Sequence, residues 1–533
     1  MPGRVIPCIS LLLLVATTCE LGAQERERKQ ARATRVIDGT IRIDGRLDET
    51  AWRTATAIAD FVQREPDEGA PATDRMEVRI LFDDGALYVG ARMSSTGPVQ
   101  APLGRRDEGD QAEHLLVSLD SYFDRRTAAN FGITATGVRL DHFHASDNRN
   151  STDATFNPVW QGRTIVDADG WTAELWIPFS QLRFNEQTMQ VWGLNVRRWI
   201  PSRNEEVFWA PVLRTDARWA SLFGELRGLD GIRPRRRLEL LPYVAGGAQL
   251  AGNRDAADPF HDGADLDGRF GGDMKLGIGS NLTLEATANP DFGQVDADPA
   301  EVNLSAFETF FSERRPFFVE GANLLTGIVN NYFYSRRIGA RPAGRASGDF
   351  VDYPGTATIL GAAKLTGRLL SGTSVGVLGA VTGEESARTF TGATFGRVTV
   401  APRTAYGVAR VQQEVGKSGS TIALMTTATQ RQFGTGDPLA FQLTRSAFAI
   451  AGDSVLRFGD YEMRSYLGLT RVSGEPDALQ RVQRSSARYF QRPDADYVRF
   501  DPLRTSMTGS KGGFSFERQN ARHWLWETAA SFE

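Results

Sequence analysis

Along most of the chain, apolar and polar residues alternate with a period of two over short runs, and Asp-Gly and other glycine-containing turns separate the runs. That period places successive side chains on opposite faces of a strand, so the pattern predicts β-structure throughout. In the first half the runs 77–80, 86–91, 115–119, 170–176 and 191–199 are rich in β-branched and aromatic residues. Short runs of this kind between close turns predict an antiparallel sandwich.

The second half alternates as well. Met274, Leu276 and Ile278 alternate with Asp273, Lys275 and Gly277, and after Gly279-Ser280-Asn281 the residues Leu282, Leu284, Ala286 and Ala288 alternate with Thr283, Glu285, Thr287 and Asn289. This predicts a hairpin. Further strands are predicted over 358–366 and 374–381, over 406–415 and 421–429, over 463–472 and over 514–517. Strands of about ten residues with one apolar face, tight turns at one end and longer polar loops at the other, fit an outer-membrane β-barrel. A soluble sandwich or propeller carries the same alternation, and periodicity alone leaves both readings open.

The chain has 533 residues, 41% of them apolar, which predicts two or more folded units. Eight of the ten tryptophans lie from Trp52 to Trp219, the others being Trp524 and Trp526. The composition changes at Gly228-Leu229-Asp230-Gly231, followed by the cationic Arg233-Pro234-Arg235-Arg236-Arg237, a combination that reads as a linker. A sandwich domain over 35–230 and a barrel domain over 231–533 are the expectation. Lys and Arg total 61, only five of them Lys, and 65 acidic residues bring the net charge to −4, which disfavours a nucleic-acid partner. Beyond the N-terminus no apolar run approaches the roughly 18 residues of a membrane helix. Arg4, the apolar run 9–16 and Leu21-Gly22-Ala23 before Gln24 read as a secretory signal peptide over 1–23, with a linker over 24–34. Its removal takes away Cys8 and Cys19, so disulfides, thiolate nucleophiles, thiolate metal sites and c-type haem are excluded.

The stretch Ile43-Asp44-Gly45-Arg46-Leu47-Asp48-Glu49-Thr50-Ala51-Trp52 resembles the opening of family 9 carbohydrate-binding modules and their relatives. Leu87-Tyr88-Val89-Gly90, the run 169–179 and Trp192-Gly193-Leu194-Asn195-Val196-Arg197 extend the resemblance over about 35–230. It implies a jelly-roll-like β-sandwich, a glycan or oligosaccharide ligand, and a structural role for Trp52 and Trp171 in the shared motifs. Modules of this family often carry structural calcium, which directs attention to Asp44 and Asp48. The expected Asn-Pro-x-Gly turn is replaced here by Thr134-Ala135-Thr136-Gly137. The second half is similar to an uncharacterised barrel-like domain that often follows such a module in secreted proteins of Gram-negative bacteria. That likeness rests on 289–299, on 303–308, on Glu313-Arg314-Arg315-Pro316-Phe317-Phe318-Val319-Glu320-Gly321 and on 334–339. It implies the outer membrane, with membrane lipid as a partner. Members usually run on for more strands than this chain, which stops at Ser531-Phe532-Glu533, so the expectation is an antiparallel barrel, either closed or truncated before closure.

Sugar binding needs a flat aromatic face for ring C–H groups and planar polar groups for hydroxyls. On the run 191–199, Asn195, Arg197 and Trp199 share one strand face while Leu194 and Val196 share the other, and Phe156 and Trp160 offer a second platform. These five are the candidate carbohydrate contacts; rim packing of a sandwich is the competing role. His142 and His144 are two apart on a predicted strand, an arrangement that serves metal ligation or a plain polar face. Asp291, Asp296 and Asp298 supply oxygen donors suited to calcium without the EF-hand spacing. Glu313 and Glu320 are the candidate catalytic carboxylates; glycoside hydrolysis requires such a pair about 5 Å or about 6.5 to 9.5 Å apart, and a charge network with Arg314 and Arg315 is the alternative. No G-x-S-x-G, P-loop or H-E-x-x-H occurs.

These observations predict an exported, all-β, cell-envelope protein whose sandwich binds glycan and whose barrel anchors it in the outer membrane or passes ligand across it. No cofactor is required beyond the calcium already named. A periplasmic or secreted enzyme hydrolysing O-glycosyl bonds, and a channel or assembly component whose sandwich contacts protein, are the alternatives.

Overall fold

The computed structural model describes residues 28–533 apart from 151, 155, 186, 234–237, 251–256, 261–263, 280, 291–307, 328–331, 370, 417, 496 and 520–522. The expected signal peptide, both cysteines, most of the cationic linker and Asp291, Asp296 and Asp298 lie outside the described residues.

The strand-forming runs of the first half assemble into two facing sheets. One has the order Gln30–Arg32, Gly224–Asp230, Met189–Ile200, His114–Asp120, Ala128–Thr134, Arg139–His144 and Thr152–Asp153, with Glu205–Phe208 and then Val62–Glu65 joined beside Met189–Ile200. The other has the order Gln161–Asp167, Gly170–Pro178, Ala86–Ser94, Met76–Phe82 and Thr34–Arg35. The stretch expected to be a linker before residue 35 is therefore structured from Gln30 onward. Gln30–Arg32 pairs in parallel with Glu225 to Arg227, and Ala31 and Ala33 are buried in the core.

Every second residue of the facing strands fills the space between the sheets: Val78 and Ile80, Val89 and Ala91, Leu115 and Val117, Trp171 and Leu175, Trp192 and Leu194. One ion pair is buried with them, Arg198 with Glu113, whose Oε1 also accepts the Trp171 indole N–H at 2.7 Å. The outer face of the smaller sheet is covered by the I-D-G stretch. Trp52, in the helix Thr50–Thr54, lies against Gly90, where a Cβ would stand 2.8 Å from the indole ring. Glu174 ties this cover down by accepting from Trp52 Nε1 at 3.0 Å and from the backbone of Asp44 and Gly45. Trp52 and Trp171 thus hold the structural role that the motif resemblance implies.

From Leu238 onward the chain forms an eleven-stranded antiparallel sheet in the order Leu238–Leu250, Ala264–Ile278, Leu282–Ala288, Ile359–Arg368, Thr373–Thr382, Thr404–Val415, Ser420–Arg431, Ser446–Phe458, Tyr461–Ser473, Ser506–Arg518 and Glu527–Phe532. The predicted hairpin at 279–281 is present. The sheet is antiparallel throughout, as expected, and is not closed into a barrel. Closure requires a ladder between the two end strands, and among the described residues Leu238–Leu250 and Glu527–Phe532 each have one neighbour, so the sheet is open. A small three-stranded sheet, Phe350–Asp352 with Glu385–Thr391 and Thr394–Ala401, is supplied mainly by the connection between Thr373–Thr382 and Thr404–Val415.

The large sheet is patterned inside out. Thr283, Glu285 and Thr287 are buried while Leu282, Leu284 and Ala286 face outward. Lys364 is fully buried against Glu285 at 2.8 Å and donates to the Phe317 carbonyl, and Arg410 is buried against Asp453 at 2.8 Å. Residues 308–327 and 332–338 lie across this inner face and pack Phe318, Leu325 and Ile338 on Ile359, Leu378, Val408 and Met425. The opposite face exposes Val411, Leu424 (54%), Leu467 (54%), Leu469, Phe514 and Phe532. Register places Val411, Leu424, Gly452, Leu467, Gly512 and Phe532 in one row across six strands.

The sandwich and the large sheet meet through charge. Asp124, which also accepts from Thr127 N and Oγ1, pairs with Arg368; Arg368 pairs with Glu414; and Glu414 pairs with Arg126 at 3.1 Å.

Candidate functional site

The run 191–199 does form a strand with Asn195, Arg197 and Trp199 on one face, the outer face of the nine-stranded sheet, but the three residues serve different ends. Asn195 is buried, its Oδ1 accepting from Ala210 N at 2.8 Å and its Nδ2 donating to Ala210 O at 2.9 Å, so it fixes the neighbouring chain rather than facing solvent. Trp199 is half-buried, with its Nε1 donating to Asp110 O at 3.0 Å. Arg197 is half-buried and points its Nε at Glu206 Oε1, 2.7 Å away.

Glu206 stands opposite Trp199 in the ladder and gathers three guanidinium groups. Besides Arg197 these are Arg149, whose Nη2 donates to both carboxylate oxygens at 2.7 and 3.0 Å and which lies over the Phe208 ring, and Arg64 at 3.1 Å. Glu65 lies 3.7 Å from Arg64 and is itself paired with Arg214 at 2.7 Å. The cluster therefore holds more cationic than anionic charge around a half-exposed indole. Burial pushes the Glu206 carboxyl up, but the charges of Arg197, Arg149 and Arg64 outweigh it and keep the group below the usual carboxylate range. The alternation marked Arg197, but Arg64, Arg149 and Glu206 come from distant parts of the chain and no spacing in the sequence marked them.

The second platform is not a surface. Trp160 is fully buried, its Nε1 donating to Asp141 Oδ1 at 3.0 Å and its ring set edge-on to Phe131 at 5.8 Å. Phe156 packs on Phe131 and Phe143 at 6.0 and 5.8 Å. Neither candidate contact presents a ligand platform: Trp160 is core and Phe156 packs half-buried against it, because Asp141 and Phe143 turn inward there. The other half-exposed sandwich tryptophan, Trp176, is on the outer face of the opposite sheet beside Tyr88, so it cannot share a ligand with Trp199.

His142 and His144 share a strand face, their rings 5.1 Å apart. His144 donates from Nε2 to Arg149 O at 3.1 Å and accepts at Nδ1 from Asn130 at 2.9 Å, so both of its nitrogens are engaged. Burial pushes His114 and His142 down to about 3 and His144 to about 4. Among the described residues no group of three or more His, Cys, Asp or Glu is arranged to hold a metal ion. Asp44 is occupied with the Arg46 backbone N–H, and Asp48 is exposed.

Glu313 and Glu320 each pair with a cation. Glu313 accepts from the Arg315 guanidinium and backbone and from Ser335; burial raises its carboxyl, but the Arg315 bonds and charge bring it below the usual range. Glu320 pairs with Lys275. The charge-network role weighed for these residues is the one the geometry carries; a carboxylate held ionised by arginine is unsuited to serve as a general acid.

Comparison with known proteins adds three findings. A family model described as a domain of unknown function (DUF5916) matches residues 234–440. No curated protein matches the chain. Among solved structures, a family 9 carbohydrate-binding module from Caldicellulosiruptor kristjanssonii, in complex with cellotriose, aligns at 16% identity over 37% of this chain and 95% of its own, with a TM-score of 0.28. A putative carbohydrate-binding protein from Bacteroides uniformis aligns at 13% identity over 38% of this chain and 100% of its own, with a TM-score of 0.31.

Proposed function

We propose that this chain is a glycan-binding protein of the cell envelope, with its large sheet set in the outer membrane and its sandwich holding the ligand. The observation that carries the reading is the inside-out large sheet. A water-soluble sheet buries Leu424 and Leu467 and exposes Glu285 and Lys364, and here the reverse holds. An apolar outward face with polar groups inside is what hydrocarbon on one side and protein or water on the other select. Lipid tolerates no open strand edge, so in the membrane the two end strands are paired.

The ligand side of the proposal rests on the half-exposed face at Trp199. Its indole offers a flat apolar surface, and Arg197 and Arg149 offer fork-shaped donors suited to hydroxyl or carboxylate oxygens. The cationic excess favours glycans with acidic units. Electrophoresis of the full chain in neutral detergent through polysaccharide-containing gels tests it. Retardation is expected in at least one acidic polysaccharide, weakened about tenfold by Trp199→Ala or Arg197→Ala; unretarded migration of the wild type in every gel contradicts it.

A further inference from the structure

A second cationic site lies at one end of the large sheet, far in sequence from Trp199. A surface cavity of about 470 Å³ is lined by Val381, Arg403, Ala405, Gln430, Arg431, Gln432, Phe433 and Arg445. Its lining holds three guanidinium groups, two amides and one aromatic ring, and no carboxylate.

The strand register explains how these residues converge. Val381 pairs with Ala405 and Ala405 with Gln430, at the same end of three consecutive strands. The ladder continues past the strand ends, with Gln432 N donating to Arg403 O at 2.9 Å and Arg431 N to Arg445 O at 2.8 Å. The three arginines therefore come to the same end of neighbouring strands, Arg403 beside the outward-facing Ala405 and Arg431 opposite the inward-facing Thr404. Arg431 spends its Nη1 on Thr444 O and Oγ1, at 2.8 and 2.9 Å, and has no carboxylate partner among the described residues. Arg403 is exposed, with no ion pair or side-chain hydrogen bond among the described residues. Arg445 lies over the Phe433 ring at 5.3 Å and reaches Glu475 only at 3.9 Å, a pair of half-exposed side chains that solvent screens.

The floor of the cavity has a different character from its rim. Val381 and Ala405 belong to the outward face of the sheet, in line along their strands with the exposed Val377 and Val411. The site thus places a cationic, hydrogen-bonding rim directly above the apolar face. That polarity matches a molecule with an anionic head and an apolar body, because guanidinium forks complement phosphate oxygens while the outward valines meet the chain.

We infer that this cavity is a binding site for the phosphate head of an anionic amphiphile, held by Arg403, Arg431 and Arg445 with Gln430 and Gln432 as neutral donors. The inference rests on the membrane reading of the large sheet for the orientation of the amphiphile, and on the cavity alone for its preference for phosphate.

The test uses the full chain in a neutral detergent and three soluble probes: short-chain phosphatidylglycerol, the matching phosphatidylcholine and glycerol 3-phosphate. Phosphatidylglycerol is expected to bind at least tenfold more tightly than either of the others, and R403Q/R445Q is expected to abolish that preference. Both substituted side chains are on the rim, so the fold is left intact, and tryptophan fluorescence verifies this; Arg431→Gln, which also removes the Thr444 bonds, serves as a second variant. Equal affinity for phosphatidylcholine overturns the anionic specificity. Equal affinity for glycerol 3-phosphate overturns the amphiphile in favour of a free-anion pocket, and an unaltered preference in R403Q/R445Q overturns the site. Failure of the membrane reading is read separately, from the fractionation of the wild-type chain.

Discussion

Trp160 and Trp199 show how a residue's role depends on what covers it. Trp199 lies on a predicted strand, and the alternation correctly grouped it with Asn195 and Arg197 on one face, whereas Trp160 falls outside every predicted strand. Periodicity states which residues share a face but not which parts of that face a loop will cover. Ala210 closes over Asn195, while the indole of Trp199 stays half-open. Trp160→Ala is therefore expected to lower the unfolding free energy by about 3–5 kcal/mol, as loss of a buried aromatic does. Trp199→Ala is expected to cost less than about 1 kcal/mol while weakening glycan retention. Denaturant titration followed by tryptophan fluorescence separates the two, since eight of the ten tryptophans report on the sandwich.

Titration belongs to the same scale. Burial holds His114 down to about 3, against 6.5 in the unfolded chain. The unfolded state therefore takes up a proton that the folded state refuses, and stability present above about pH 6.5 is lost on acidification, by about 2 kcal/mol at pH 5 for this group. Glu174 runs the opposite way. Burial raises its carboxyl to about 7, so its contribution is largest below about pH 4.5 and is lost as the pH rises through 7. Thermal unfolding between pH 5 and 8 is expected to pass through a maximum. His114→Gln should flatten the acid limb and Glu174→Gln the alkaline limb; unchanged limbs would refute the assignments.

At the scale of the element, the alternation over 282–288 was legible in the sequence, but its sign was not. Leu282 and Leu284 against Thr283 and Glu285 describes a strand with one apolar face, whichever face is turned inward. The structure turns the polar set inward because Lys364, from the next strand, lies beside Glu285 and meets the carbonyls of the crossing segment. Leu238–Leu250 escaped sequence reading for another reason: Pro242 interrupts it, and proline is tolerated there because the strand is at a sheet edge. Open or closed topology is likewise set by the pairing of end strands, which no local pattern encodes. If the outward face meets lipid, Leu424→Arg is expected to disfavour insertion into vesicles by about 2–4 kcal/mol, measured as the folded fraction across a denaturant series. Unchanged insertion would argue for a face that stays in water.

For the whole molecule, the last strand of the sandwich ends at Asp230 and the large sheet begins at Leu238, and an ionic contact joins the two. Arg368 bridges Asp124 of the sandwich and Glu414 of the large sheet, and Arg126 completes the circuit. Arg368→Ala leaves Asp124 and Glu414 facing each other without their shared cation. The expected result is looser coupling, seen as faster proteolysis near residues 231–237 and separate unfolding of the halves, with each half retaining its own fold. These interface residues come from three separated segments, so charge counting along the sequence gave no sign of the arrangement.

Fractionation of cells expressing the full chain, with alkaline carbonate extraction of the membranes, tests the envelope reading most directly. Retention of the protein in the outer-membrane fraction after extraction is the expected result. Release into the soluble fraction would contradict it and would leave the exposed row from Val411 to Phe532 without lipid to cover it.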